Sequence, residues 1–388
     1  MNWISAHSIH DDFEDAWNEV RAHVQSELTG EADLIVLFVS AHHAKAWREL
    51  ARYVHATFPH ATLFGGGSRG TIVGDLEFEE GASITLLAGT FGGGGSVETV
   101  HIPEEPAAAA ARLKEVTWSD VNGMLILADP FSSDAELLLT ELDVCAPAAT
   151  KVGGILCGGT RLGDHGLWDA EGVYDEGALL LLFRGTLSVE PVVAQSAKPI
   201  GDPLIVMRRR GYLVDAFNTG KPSDALNRVL DEVNVVRKDV WEKVVIGLDV
   251  GEGGLSEAPS DYLIRSVIGL DPASGSLAVA AQLDNYQTLR FHLRDADAAR
   301  AELRAQLEAA ERRIDAQSAR AAIVFNCLSR GVGFFGTPHE DAKQIAAAFP
   351  DQGVVGLVCG GEIGPVASRT YLHSLTTSVG VICERDVH

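Results

Sequence analysis

GVVGLVCGGEIG, residues 353–364, is an apolar run that stops at a glycine pair and a lone carboxylate. Val354, Val355, Leu357 and Val358 read as a strand buried on both faces, since short runs of β-branched and aliphatic residues bounded by glycine pack that way. The glycines beyond it mark backbone that turns or closely approaches another segment. Working outward, residues 340–349 have helical spacing, residues 321–327 (AAIVFNC) form a second apolar run, and residues 376–382 supply a return strand. The same succession occurs twice more. Residues 33–40 (DLIVLFVS), a helical stretch at 45–57, residues 61–70 (ATLFGGGSRG) and an apolar run at 83–88 make one copy. Residues 123–128 (GMLILA), a helix at 134–145, residues 151–160 (KVGGILCGGT) and a run at 178–183 make the other. The pattern predicts an α/β protein of mixed α+β character, built on repeated β-α-β units whose glycine-rich loops form a pseudo-symmetric core in two halves.

Between the second and third copies, residues 187–294 carry strand-like runs at 204–207, 212–217, 243–248, 262–270 and 276–281, with a helix at 223–233. The turn DPASG at 271–275 predicts a hairpin over 264–281. Residues 297–317 read as a helix with Leu303, Leu307, Ala310 and Ile314 on its apolar stripe. The domain boundary is expected near 201–211, giving an N-terminal domain of 1–205 and a C-terminal domain of 206–388.

The 388 residues carry a formal charge of −23, which disfavours a nucleic-acid surface, because phosphate binding needs clustered Lys and Arg. No apolar run approaches the ~20 residues of a membrane span. The five cysteines are widely spaced with no CxxC pair, which fits free thiols in a reducing, cytoplasmic compartment.

Two segments match G-x-G-x-x-G: Gly65, Gly67, Gly70 and Gly331, Gly333, Gly336. The first runs on into strand-like sequence. The second lies between a strand and a helix, but no following strand ends in an acidic ribose ligand, and there is no Walker A motif. Cys327, followed by Ser329 and Arg330, is either a reactive thiol beside a cation or a small buried hydrophobe. Glu362, flanked by glycines at a strand end, either binds an ammonium group or caps its own loop. In FHLRD, residues 291–295, His292 and Arg294 are candidates to line a pocket, with Arg294 gripping a carboxylate, while Asp295 reads as the N-cap of the next helix. His373 begins the last strand. The thirteen histidines leave any metal ligand unassigned, and a b-type haem, needing one axial histidine, stays open as the cofactor alternative.

FNCLSRG (325–331), VVGLVCGGEIGPV (354–366), FHLRDA (291–296) and ADPFS (128–132) together resemble the FIST family, the domains shared by F-box proteins and intracellular signal transduction. The resemblance covers nearly the whole chain and implies a small-ligand sensory module. In this family, amino acids are proposed ligands, haem-binding nitric oxide sensors also occur, and kinases or chemoreceptors are frequent outputs. It sets Cys327, Arg330, Glu362 and His373 at characteristic family positions. The sequence departs at Gly360, where Asn is common, at Ala367 and Ser368, where glycines are usual, and at Gly67, where cysteine is common.

The expected function is an intracellular sensor of an amino-acid-like metabolite that signals through a separate partner protein such as a kinase or regulator. Its ligand site is expected to draw on Arg330, Glu362, Arg294, His292, Cys327, Asn326, Gly361 and His373. Arg330 or Arg294 would hold a carboxylate and Glu362 an amine. No cofactor and no catalytic residue are expected; haem binding is one alternative, and an enzyme with Cys327 as nucleophile and His373 or Glu362 as base is another.

Overall fold

The computed structural model describes residues 2–233, 240–250, 262–314 and 318–385. The first repeat runs β1 (Trp3–Ser8), α1 (Phe13–Glu27), β2 (Leu34–Ser40), a 3-10 segment Ala41–Glu49 leading into α2 (Leu50–Thr57), β3 (Thr62–Ser68), a hairpin β4 (Thr71–Val73) and β5 (Leu76–Phe78), and β6 (Ile84–Gly89). The second runs β7 (Gly95–Ile102), α3 (Pro106–Glu115), β8 (Val121–Ala128), α4 (Ala135–Cys145), β9 (Thr150–Ile155), a hairpin β10 (Gly166–Asp169) and β11 (Val173–Tyr174), and β12 (Ala178–Gly185).

The third repeat begins with β13 (Leu187–Ala194) and is then interrupted by β14 (Ala197–Arg210), β15 (Leu213–Phe217), α5 (Pro222–Val233), α6 (Val240–Lys243), β16 (Val244–Asp249), β17 (Tyr262–Leu270), β18 (Leu277–Val279) and β19 (Thr288–Arg294). It resumes as α7 (Ala296–Arg313), β20 (Ala319–Cys327), α8 (Val332–Phe335), α9 (Glu340–Ala348), β21 (Gly353–Cys359), a hairpin β22 (Gly361–Val366) and β23 (Arg369–His373), and β24 (Thr377–Glu384).

Each repeat builds a six-stranded sheet, and each gives its hairpin away. The sheets read β1-β6-β2-β3-β10-β11, β7-β12-β8-β9-β22-β23 and β13-β24-β20-β21-β4-β5. The hairpin of the first repeat therefore completes the third sheet, that of the second completes the first, and that of the third completes the second. In each sheet the two core strands, β2·β3, β8·β9 and β20·β21, pair in parallel. The inner faces share one core that includes Phe38, Leu127 and Phe325, one from each repeat. The outer faces are covered by α1 and α2, by α3 and α4, and by α7 and α9. The core strands are apolar on both faces for this reason: one face meets the shared centre and the other a helix layer.

Polar contacts pin the exchanged hairpins. Asp143 of α4 accepts hydrogen bonds from the Thr370 N–H (2.9 Å) and hydroxyl (2.8 Å) on the hairpin of the third repeat. The buried Lys151 ammonium lies 3.0 Å from the same carboxylate. The glycines serve close approach: a Cβ on Gly65, Gly153 or Gly356 would stand 2.0, 2.0 or 2.3 Å from the carbonyl oxygen of Leu37, Ile126 or Val324 on the neighbouring parallel strand.

The interruption is a closed barrel, β14-β15-β18-β17-β16-β19, with its own apolar core. The hairpin expected over 264–281 is the antiparallel pair β17·β18. The expected division between residues 205 and 206 falls within β14. The basic run ends β14 on the surface, where Arg210 pairs with Asp215 (2.7 Å) and Arg209 lies 3.5 Å from Asp284. Among the described residues, no helix is long and apolar enough to cross a membrane, and all five cysteines are free.

Candidate functional site

The loop after β20 carries FNCLSRG past the end of the third sheet. Its backbone is tied on both sides, Cys327 N–H donating to Thr376 O (3.1 Å) and Leu328 N–H to Cys359 O (2.8 Å). Arg330 then turns inward rather than outward. Its Nε and Nη2 donate to the two oxygens of Asp341 on α9, both at 2.8 Å, and neither side chain is exposed. The Thr377 hydroxyl stands 2.5 Å from Asn326 Oδ1 and 3.1 Å from Asp341 Oδ2, so its one proton serves one or the other. Arg330 thus locks the loop to the helix beneath it through a paired guanidinium and carboxylate, leaving its Nη1 without a partner.

Above this loop lies a cleft of about 520 Å³ where barrel and third repeat meet. The barrel side supplies Glu242, Lys243, Arg294 and Ala296, the loop supplies Leu328, Ser329, Gly331, Gly333 and Phe334, and the exchanged hairpin of the first repeat ends on it with Glu79. A narrower chamber of about 70 Å³ continues inward, lined by Arg69, Ile72, Glu77, Asn326, Cys327 and Val358; Glu79, Leu328 and Gly331 border both. Arg294 crosses the seam: its Nη2 donates to Ser329 O (2.8 Å) and its guanidinium sits 4.5 Å over the Phe334 ring. Burial lowers its pKa, yet a guanidinium keeps its charge. Its buried Nε has no partner.

The second glycine motif has a different use from the one its spacing suggests. Glu79 Oε1 accepts the Val332 N–H at 2.8 Å, at the start of α8. A Cβ on Gly331 would stand 2.2 Å from Glu79 Oε2. The chain's own carboxylate therefore occupies the place a phosphate would take. Behind it, Glu77 is buried and accepts the Ala342 N–H at 2.8 Å. Burial, with the Asp341 carboxylate adding to it, raises the Glu77 carboxyl to about 7.

The structure brings Arg294, Asn326 and Cys327 to these two chambers, and keeps the other expected residues behind their walls. Burial, with Glu362 second, pushes the Cys327 thiol up to about 12. A thiol held there is protonated at neutral pH and is a poor nucleophile. Glu362 is fully buried; Thr376 N–H donates to its Oε2 (3.1 Å), its Oε1 has no partner, and burial holds its carboxyl well above the ordinary range. It faces Gly154 at the ladder position where the other hairpins set Leu167 against Gly66 and Thr71 against Leu357.

His373, opposite Glu362 in its hairpin, lies 3.0 Å through Nε2 from Gly364 O, and His292 lies 3.1 Å through Nδ1 from Arg290 O. Burial lowers both imidazoles to about 4. Gly361 sits in the strand against Leu372. Asp295 is the N-cap, accepting the Ala298 N–H at 2.9 Å and pairing with Lys198 at 2.6 Å. Glu77, Glu79, Lys243, Phe334 and Asp341 escaped the sequence reading. The two glutamates reach the site by hairpin exchange, and only Gly331, too crowded for a side chain, signals that anything approaches.

Among the described residues, neither the cleft nor the pocket beside His165 offers a b-type haem an axial histidine. Of the described residues that line the 520 Å³ cleft, none is a histidine. His165 lines a pocket of about 130 Å³, but its Nδ1 lies 3.1 Å from Asp129 and its Nε2 accepts the Gly159 N–H at 3.1 Å, so no nitrogen is left for iron.

Three hairpin-exchanging α/β repeats, an inserted barrel and a polar cleft at their seam define a two-part protein with a small-molecule-sized site. The FIST N domain profile matches residues 33–219 and the FIST C domain profile residues 224–365. The chain is similar to the uncharacterized protein Rv0628c of Mycobacterium tuberculosis (strain ATCC 25618 / H37Rv), 31% identical over 377 residues covering 94% of this chain and 95% of that protein. It is also similar to the uncharacterized protein Mb0898c of Mycobacterium bovis (strain ATCC BAA-935 / AF2122/97), 28% identical over 372 residues with the same coverage, 94% and 95%. Among solved structures, cyanuric acid hydrolase from A. caulinodans matches at 10% identity and a TM-score of 0.33, over 100% of this chain and 99% of that one. The chain belongs to the FIST family, whose domains are small-ligand sensory modules.

Proposed function

We propose that the protein is an intracellular sensor of an amino-acid-like metabolite, bound in the cleft between barrel and third repeat. Arg294 meets the ligand carboxylate, Lys243 adds positive charge to the same wall, and Glu79 meets the amine from the opposite side. The observation that carries this reading is Arg294 itself: a part-buried guanidinium on the cleft wall whose buried Nε has no acceptor among the described residues. An unpaired buried donor is costly, and a ligand oxygen offsets that cost. Arg330 and Glu362, first expected to hold the ligand, act in this reading as supports of the loop and the central core.

Because barrel and repeat each supply walls, a bound ligand draws the two bodies together. That change is the signal, read by a separate partner such as a kinase or regulator. Calorimetric titration with each of the twenty standard amino acids tests the assignment. Arg294→Ala is expected to weaken the binding seen in wild type by tenfold or more, since a charge-assisted pair is worth about 1.5–3 kcal/mol. Unchanged affinity in that variant refutes it.

A further inference from the structure

The three repeats agree residue by residue, and the agreement points to a second site. Equivalent residues at the ends of the central strands, Ser40, Asp129 and Cys327, donate their N–H groups to the carbonyls of Ser83, Gly177 and Thr376, each just before a return strand, at 2.9, 2.9 and 3.1 Å. The incoming hairpins fall in step as well. In the third sheet Ile72 pairs with Glu77, and in the first sheet Trp168 pairs with Val173. Two residues further along each hairpin stand Glu79 and Asp175, so both hairpins bring an acid to the end of a sheet.

The first sheet has a pocket where the third has its chambers. It holds about 130 Å³ and is lined by Trp47, Arg48, His165, Gly166, Val173 and Asp175 among others. That is room for about four waters, or for a small amino acid. Gly166 keeps the floor open, because a Cβ there would stand 3.0 Å from the Trp47 ring. His165, held between Asp129 and the Gly159 N–H, forms a fixed wall. The Trp47 indole N–H is buried and has no partner. Among the described residues, neither Arg48 nor Asp175 has an ionic partner.

We propose that this pocket is a second small-ligand site, taking an amino-carboxylate whose carboxylate meets Arg48 and whose ammonium meets Asp175, with Trp47 beneath. The proposal builds on reading the barrel-side cleft as a ligand site, but shares no residue with it. Trp47 reports on this pocket alone, since no tryptophan lines the cleft. The test is titration of the full chain with each of the twenty standard amino acids, following tryptophan emission. At least one is expected to give a saturable change that vanishes in Trp47→Phe. Its midpoint is expected to weaken tenfold or more in Arg48→Ala and in Asp175→Asn, both exposed positions, and to stay within twofold in Arg294→Ala. A Trp47 signal that no amino acid perturbs, or an Arg48→Ala midpoint equal to wild type, overturns the proposal. Calorimetry on Arg294→Ala judges the cleft separately, so the two readings fail independently.

Discussion

Asp341→Ala removes both acceptors of Arg330 and leaves a guanidinium in a place with no exposure to water. Breaking a buried pair from one side costs about 3–5 kcal/mol, most of it the uncompensated charge. The double variant Arg330→Met/Asp341→Leu removes both charges and fills the volume with apolar atoms, a replacement that is often neutral or stabilising. The double variant is therefore expected to be more stable than the single one, an inversion that loss of contacts alone does not produce. Urea unfolding followed in parallel for the three proteins gives the comparison, with midpoint differences read at unchanged slope. A cost below about 1 kcal/mol for Asp341→Ala refutes the reasoning, because the guanidinium must then have found water or a ligand. The double variant is also expected to keep cleft binding, since Arg330 lines neither chamber.

Cys327, with its thiol pushed up to about 12, is expected to resist iodoacetamide in the native protein at neutral pH. Its labelling should be at least about a thousandfold slower than that of a free cysteine, and rapid native alkylation of Cys327, mapped by mass spectrometry, contradicts the assignment. Glu77 ionises near 4.5 when unfolded and near 7 when folded; the unfolded state loses its proton first, so this group's contribution to stability falls as pH rises from about 4.5 to about 7 and is level above. The stability difference between wild type and Glu77→Gln should follow that slope, and a flat difference counts against it. Gly153→Ala drives a Cβ to 2.0 Å from a carbonyl oxygen, whereas Gly172→Ala meets nothing within 4 Å. The first should cost on the order of 3 kcal/mol or more and the second almost nothing; equal melting temperatures would mean the parallel pair is not that close.

The repeat was legible because each core strand lies between a shared centre and a helix layer, which forces an unbroken apolar run such as 34–39 in β2 or 321–325 in β20. The strands β1, β7 and β13 were not read, since they are only partly buried and β7 and β13 mix Glu and Ser among their apolar residues. Hairpin exchange was illegible for a different reason. Pairing between Leu357 and Thr71 is a contact between residues far apart in sequence, and nothing local to either one encodes it. The same holds for the barrel, whose strands other than β19 were recognised individually while closure depends on β14 meeting β19 across the whole insertion.

Exchange also explains why the sequence points to the loop beside the cleft but not to the glutamates that reach it. FNCLSRG does end beside the cleft, as a glycine-rich turn after a buried strand should. Yet the short loop between β20 and α8 turns some side chains in and others out, and Arg330 goes inward because Asp341, in the first turn of α9, completes it there. Glu77 and Glu79, which line the chambers beside Glu242 of the barrel side, arrive from the first repeat, some 250 residues away in sequence. Glu362 shows the complementary case. A carboxyl flanked by glycines looked like a ligand contact, but the ladder sets it where the other hairpins carry Leu167 and Thr71, in the shared centre of the three sheets. Its raised pKa follows from that burial. A polar residue in a glycine-rich turn is thus informative only once the partner strand is known, because the same local sequence serves a cleft wall in one register and a buried core in the other.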